Sequence, residues 1–144
     1  MAEKVLILGL SKSGIAAAKF AASKGYDVYI TESKGVNEVR RLDNPATPPG
    51  IKGVNPQIEE LKSLGIKIEC GLHSEKFISG SSFAVTSPGI PPKSEIFRRL
   101  NEKNIKIISE IEFAYLNTKT PFIAITGTNG KTTTTALVSH ILSK

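Results

Sequence analysis

The sequence predicts an α/β fold, a mainly parallel five-stranded sheet with helices on both faces. Three observations predict it. Short apolar runs suited to strands covered on both faces recur at Lys4–Leu8, Asp27–Thr31, Ile66–Cys70, Phe83–Thr86 and Ile105–Ile108. Segments of helical character separate most of these runs, the alternation that builds a parallel sheet. Glycine-bearing loops follow the first and fourth runs, at Gly9–Gly14 and at Gly89. In a parallel sheet, ligands sit beyond the carboxyl ends of the strands, so these loops share one crevice.

Composition fits that class. The chain has 144 residues, 40% of them apolar and 22% charged, enough for one core and a little more. No apolar run is long enough to span a bilayer, so no membrane association is expected. Met1-Ala-Glu-Lys4 leads straight into the first strand, so no signal peptide is expected. A single cysteine, Cys70, excludes an internal disulfide and agrees with a reducing, cytoplasmic location. Its neighbours Ile66 and Ile68 mark it as a buried strand thiol. Net charge is +6, from 19 basic and 13 acidic side chains. The basic residues are scattered and aromatic residues for base stacking are sparse, so nucleic acid is not expected as a partner. Small anions suit the charge better.

The elements follow in order. After Lys4–Leu8 comes Gly9-Leu-Ser11-Lys-Ser13-Gly14, then an Ala-rich helix over Ile15–Lys24 closed by Gly25. Asp27–Thr31 is the second strand, with Glu32 just past its end. This βαβ unit is Rossmann-like and should cross over right-handed. Its loop approximates G-x-G-x-x-G, but Ser11 replaces the middle glycine, where backbone normally nears a pyrophosphate. A mononucleotide or nucleotide-sugar site is therefore favoured over NAD, with Ser13 and Gly14 N–H groups facing phosphate. Glu32 is placed to accept from a ribose hydroxyl or a base N–H.

Residues 33–56 carry Pro45, Pro48, Pro49, Gly50, Gly53 and Pro56 and form a long surface loop, with room for a helical turn at Val39–Leu42. Ile58–Leu64 is a short helix ended by Gly65. His73 lies in the turn Gly71-Leu-His-Ser74, and a lone histidine without partners is a poor catalytic or metal candidate. Ser87-Pro-Gly89-Ile-Pro-Pro92 is a stiff turn after the fourth strand. Ser94 caps a helix to about Asn104, and Ser109-Glu-Ile-Glu112 forms a capping box before a helix to Leu116. Residues 117–121 are a hinge.

The last segment is Phe122-Ile-Ala-Ile-Thr-Gly127-Thr128-Asn129-Gly130-Lys131-Thr132-Thr133. It reads as strand, tight loop and helix start, an incomplete P-loop segment. Unpaired N–H groups and the dipole at a helix start attract an anion. Lys131 can reach the β- and γ-phosphates of a nucleotide, and the Thr132 hydroxyl is placed for Mg²⁺. Leu137 with Ile141, and Val138 with Leu142, pair one helical turn apart. An isolated strand and a Thr-rich helix must pack on the first domain, join a second copy or be disordered. The open strand edge favours self-association through residues 118–144.

Thr-Gly-Thr-Asn-Gly-Lys-Thr-Thr, with the Gly9–Gly14 loop and Thr86-Ser-Pro-Gly-Ile-Pro91, resembles the Mur ligases, ATP-dependent amide ligases of peptidoglycan synthesis. Ser-Pro-Gly-Ile-Pro is most similar to the branch that adds D-glutamate to UDP-N-acetylmuramoyl-L-alanine. The resemblance implies two parts. Residues 1–117 would be a UDP-substrate-binding domain, and residues 118–144 the beginning of the central ATP-binding domain. It also implies that Lys12 and Ser13 touch the diphosphate, that Glu32, Ser33 and Lys34 surround uracil and ribose, and that the Gly89 backbone meets the nucleotide. Gly127, Thr128, Asn129, Gly130, Lys131, Thr132 and Thr133 would hold ATP, with Lys131 catalytic and Thr132 on Mg²⁺. The γ-phosphate would pass to the substrate carboxylate, and the D-glutamate amine would attack the acyl phosphate, from a site outside this chain. These residues alone are expected to lack ligase activity. Ser11 and the length of the 33–56 loop depart from the family pattern. A Rossmann-type dinucleotide module explains the first βαβ but not the 126–133 segment. A stand-alone P-loop protein would need a nucleotide domain after the loop.

Overall fold

The structure, a computed structural model, describes residues 2–35 and 56–144. Its elements are β1 (Lys4–Leu8), α1 (Lys12–Ser23), β2 (Asp27–Glu32), α2 (Pro56–Ser63), β3 (Lys67–Cys70), α3 (Glu75–Ile78), β4 (Phe83–Thr86), α4 (Glu95–Glu102), β5 (Lys106–Ser109), α5 (Glu110–Leu116) and α6 (Lys131–Leu142). The five strands form one sheet in the order β3-β2-β1-β4-β5. Every pairing is parallel, with Leu6 opposite Tyr29 on one side and Ala84 on the other. The α/β fold expected from the sequence is the fold observed.

The central strand shows why its apolar run is continuous. Val5, Leu6, Ile7 and Leu8 are all at most 1% exposed. Side chains alternate between faces of a strand. Val5 and Ile7 join Ala18, Ala21, Leu61 and Phe113 on one face. Leu6 and Leu8 join Ile78, Ile96 and Leu100 on the other. Helices α1, α2 and α5 thus cover one face, and α3 and α4 the other. Each large side chain so buried contributes roughly 1.5–3 kcal/mol. The Phe113 ring packs in tilted or edge-on contact with Phe20, Tyr26 and Phe83, with centroids 5.7–5.8 Å apart.

Small residues let α1 lie close to the sheet. A Cβ on Gly14 would stand 2.5 Å from the Gly9 carbonyl oxygen. Glycine is therefore required where α1 leaves the β1 loop. Ser11 caps α1, its hydroxyl accepting from Gly14 N at 3.1 Å. Ser109 caps α5 in the same way, accepting from Glu112 N at 3.1 Å. Glu112 pairs with Lys106 at 3.2 Å, so only the Ser109 half of the expected capping box is in place. Ser94 stands at the N-cap of α4 but makes no side-chain capping bond.

Two expectations change. Phe122–Ile125 is not a strand: residues 119–127 carry no regular structure. Apolar, β-branched composition favours a strand only where a neighbouring strand accepts its backbone groups, and none among the described residues pairs with this segment. Cys70 is half-buried instead of buried, because β3 is the edge strand. Helix α6 forms, yet none of its residues is buried, so it is not packed on the sheet domain. The helical turn expected at Val39–Leu42 lies outside the described residues.

Candidate functional site

A cleft of about 830 Å³ opens beyond the carboxyl ends of β1, β2 and β4. Its walls are residues 8–13, residues 31–34, His73, residues 87–91 and residues 94–96. Strands β1 and β4 are neighbours, and the chain leaves them in different directions. Such a divergence is where an open α/β sheet takes its ligand. The volume is that of a small-ligand site.

One end of the cleft has the charge and free amides that suit an anion. Lys12 and Ser13 open α1, so their N–H groups have no helical partner. No acidic residue stands in the first turn. Lys12 adds a positive charge at the positive end of the helix dipole, an arrangement that costs stability unless an anion offsets it. Gly14, expected to turn its N–H to phosphate, instead gives it to Ser11 Oγ. The amides left free at the start of α1 are those of Lys12 and Ser13.

Three hydroxyls meet beside this loop. Ser87 Oγ lies 3.1 Å from both Ser11 Oγ and Ser13 Oγ, which are 3.2 Å apart. Ser87 donates to Glu110 Oε1 at 2.7 Å. Its proton is thereby committed, and Ser87 can only accept from the other two. Ser11 is thus the cap and part of this cluster, a role that replaces the missing middle glycine. The Ser87-Pro-Gly89 turn is legible in the sequence, but the bond from Ser87 to Glu110 is not, since the two lie far apart along the chain.

The other end is organised by Glu32. Its Oε2 accepts from Leu10 N at 2.9 Å. Its Oε1 accepts from Lys34 N at 2.9 Å and from Ser33 Oγ at 3.2 Å. Glu32 is only 8% exposed. The carboxylate expected to meet a ribose or base is thus largely committed to holding the loops after β1 and β2. Gly71, with φ +87°, donates to Glu32 O and Lys34 O at 2.8 and 3.0 Å. That turn swings His73 over the cleft.

His73 has partners that its sequence did not reveal. Its Nδ1 lies 2.7 Å from Thr31 Oγ1, and its carbonyl accepts from the Arg99 guanidinium. Burial, then the Arg99 charge, lowers its pKa below 6.5 despite nearby Glu69, Glu32 and Glu95. The imidazole is neutral at neutral pH. Burial, with Glu32 and Glu69 nearby, raises the pKa of the Cys70 thiol, so it is a poor nucleophile.

The cleft therefore brings together Lys12, Ser13, Glu32, Ser33, Lys34 and Gly89. Residues Gly127–Thr133 do not line it. They form their own loop, with Gly127 and Gly130 at φ +148° and +77°. Lys131 Nζ folds back onto the Gly127 carbonyl and, at 3.5 Å, onto that of Thr128. The amides of Lys131, Thr132 and Thr133 open α6 without helical partners, a fit for phosphate. For a metal the loop offers the Thr132 hydroxyl, and no cluster of three or more His, Cys, Asp or Glu occurs among the described residues.

The family model described as "Mur ligase MurD-like, N-terminal domain" matches residues 3–109. The chain belongs to the MurD-like Mur ligases. A UDP-N-acetylmuramoylalanine–D-glutamate ligase of Cytophaga hutchinsonii is 42% identical across the whole MurD-like chain, which spans 29% of that relative. One from Streptococcus mutans is 38% identical over 98% of the chain and 28% of its own length. The chain thus spans under a third of the curated relatives it matches. Among solved structures, a pseudomurein peptide ligase type C from Methanothermus fervidus is 26% identical with a TM-score of 0.58, over 98% of this chain and 26% of that one. A murein peptide ligase from Psychrobacter arcticus shares the fold, with a TM-score of 0.64 at 19% identity, over 98% of this chain and 26% of its own. No helix among the described residues is long and apolar enough to cross a membrane.

Proposed function

We propose that this chain is the N-terminal part of an ATP-dependent amide ligase of peptidoglycan synthesis, adding D-glutamate to UDP-N-acetylmuramoyl-L-alanine in the cytoplasm. Residues 1–117 are the UDP-substrate domain, and residues 118–144 begin the ATP-binding domain. The carrying observation is one cleft with a cationic helix start at one end and Glu32-Ser33-Lys34 at the other. The relatives' names supply the substrate and the reaction.

In this reading Lys12 and the amides of Lys12 and Ser13 hold the diphosphate. Ser33, Lys34 and the Gly89 backbone surround uridine, and Glu32 holds their loops in place. The amides of residues 131–133 and the Lys131 ammonium hold ATP, with Thr132 as a ligand to Mg²⁺. When bound, ATP and Mg²⁺ supply phosphoryl transfer to the substrate carboxylate, giving the acyl phosphate that the D-glutamate amine attacks. For Lys131 to reach phosphate it must leave the Gly127 and Thr128 carbonyls. Its positive charge then offsets charge developing on the transferred group.

Calorimetric titration tests the first half. UDP and UDP-N-acetylmuramoyl-L-alanine should bind the 144-residue chain, and Lys12→Ala should weaken both about tenfold. NAD binding clearly tighter than UDP would overturn the reading. ATP should bind this chain weakly, and purified chain should form no amide.

A further inference from the structure

We propose that His73 reads the nucleoside in the cleft, accepting a hydrogen bond from it at Nε2; this rests on the nucleotide reading of the site.

Hydrogen bonding around Thr31 sets the direction. Thr31 Oγ1 has a single proton and contacts His73 Nδ1 at 2.7 Å, the Leu72 carbonyl at 3.1 Å and Glu69 Oε1 at 3.4 Å. If Thr31 gave its proton to Nδ1, it would face the carbonyl and the carboxylate with bare lone pairs. If His73 Nδ1–H donates to Thr31, the threonine proton goes to Leu72 O, and only the longest contact, to Glu69 Oε1 at 3.4 Å, lacks a proton. Glu69 Oε1 is also held by Ser74 N at 2.7 Å, which fixes the turn carrying the ring. The satisfied arrangement leaves Nε2 without a hydrogen.

No partner for Nε2 occurs among the described residues, and it is not among their buried unpartnered atoms. It is therefore a free acceptor on a residue that lines the cleft. The lowered pKa agrees, since a charged ring would carry a proton there. Glu32, the acceptor expected at this end, already takes bonds from Leu10, Ser33 and Lys34. His73 Nε2 is an open acceptor at this end. Its complement is a ligand donor: the ribose 2′-hydroxyl or the imide N–H of uracil.

Substitution separates the two ring nitrogens. The short amide of asparagine mimics Nδ1, so His73→Asn should keep the Thr31 bond and lose the reader. His73→Gln should place a polar atom near Nε2 and lose the Thr31 bond. The probes are UDP, 2′-deoxy-UDP and CDP, titrated into the full chain. Wild type binding UDP at all tests the nucleotide reading by itself. For the present proposal, His73→Asn should weaken UDP about tenfold with its melting temperature little changed. A ribose contact predicts that 2′-deoxy-UDP is penalised in wild type and not in His73→Asn. An imide contact predicts that pattern for CDP. Nitrogen NMR of His73 should show the Nδ1–H tautomer in the free chain and a perturbed Nε2 with UDP. Normal UDP affinity in a folded His73→Asn chain, equal losses for all three ligands, or an Nε2–H tautomer would each overturn the proposal.

Discussion

Glu32 Oε2 accepts the amide of Leu10 at 2.9 Å, tying the end of β2 to the loop after β1. The same carboxylate holds Lys34 N and Ser33 Oγ on its other oxygen. Both ends of the cleft therefore hang on one acidic side chain. An unpartnered buried donor costs about 1–3 kcal/mol. Glu32→Ala should lower unfolding free energy by about 2 kcal/mol in urea titrations and weaken UDP as well. Glu32→Gln should also destabilise, because its amide turns an N–H toward a donor. Full stability of both variants with UDP affinity lost would show that Glu32 serves the ligand alone.

Gly14→Ala meets the Gly9 carbonyl at 2.5 Å, and backbone on both sides cannot yield cheaply. We expect a loss on the order of 3 kcal/mol, the upper range for overpacking. Gly25 offers a contrast. A Cβ there meets nothing within 4 Å, but φ is +85°, so Gly25→Ala should cost only about 1 kcal/mol from the left-handed backbone. Equal losses for the two variants in urea titrations would contradict this account of Gly14.

The His73 shift has a sign that can be checked. Its folded pKa lies below the ordinary 6.5. As pH falls through 6.5, the unfolded chain takes up a proton that the native chain refuses, so stability declines. The decline ends below the folded pKa. Glu75, held at about 2 by Lys103, Ser79 and Arg99, contributes a stabilisation that fades only between 4.5 and about 2. Melting temperatures at about pH 7 and about pH 5.5 should therefore differ in wild type and much less in His73→Asn. An equal drop in both would assign the effect to another group.

Helix α6 buries none of its residues, and Leu137, Ile141 and Leu142 are 59–69% exposed. Deleting residues 118–144 should thus shift the melting temperature of the sheet domain by no more than about 2 °C, since little buried surface is lost. Self-association through this segment predicts that the full chain scatters light as more than 15.5 kDa and the shortened chain as a monomer. A monomeric full chain would end that idea.

The sheet was legible because its strands carry continuous apolar runs. Lys4–Leu8 and Phe83–Thr86 have the same bounds in sequence and structure. The first cleft wall was legible too, since Ser11–Ser13 and Ser87–Gly89 lie just past strand ends. What the sequence hid depends on contacts between distant residues. His73 looks solitary until Gly71 turns it onto Thr31. Ser87 looks like a turn residue until Glu110 takes its proton. Phe122–Ile125 misled because β-branched composition reports compatibility with a sheet, and the sheet must be there to receive it.

The strand order has a consequence for how the chain reaches this shape. β1 sits between β2, its near neighbour in sequence, and β4, which follows only after β3 and three of the described helices. Val5 finds Val28 early and Phe83 late. During synthesis one edge of the most apolar strand must wait, unpaired, until residues 83–86 have left the ribosome. Parallel, non-local pairing of this kind folds slowly and exposes sticky edges meanwhile. Chaperone dependence should accordingly be set by the β1–β4 pairing, and substitutions at Ala84 or Val85 should raise the aggregated fraction on expression more than equal losses of stability at α2.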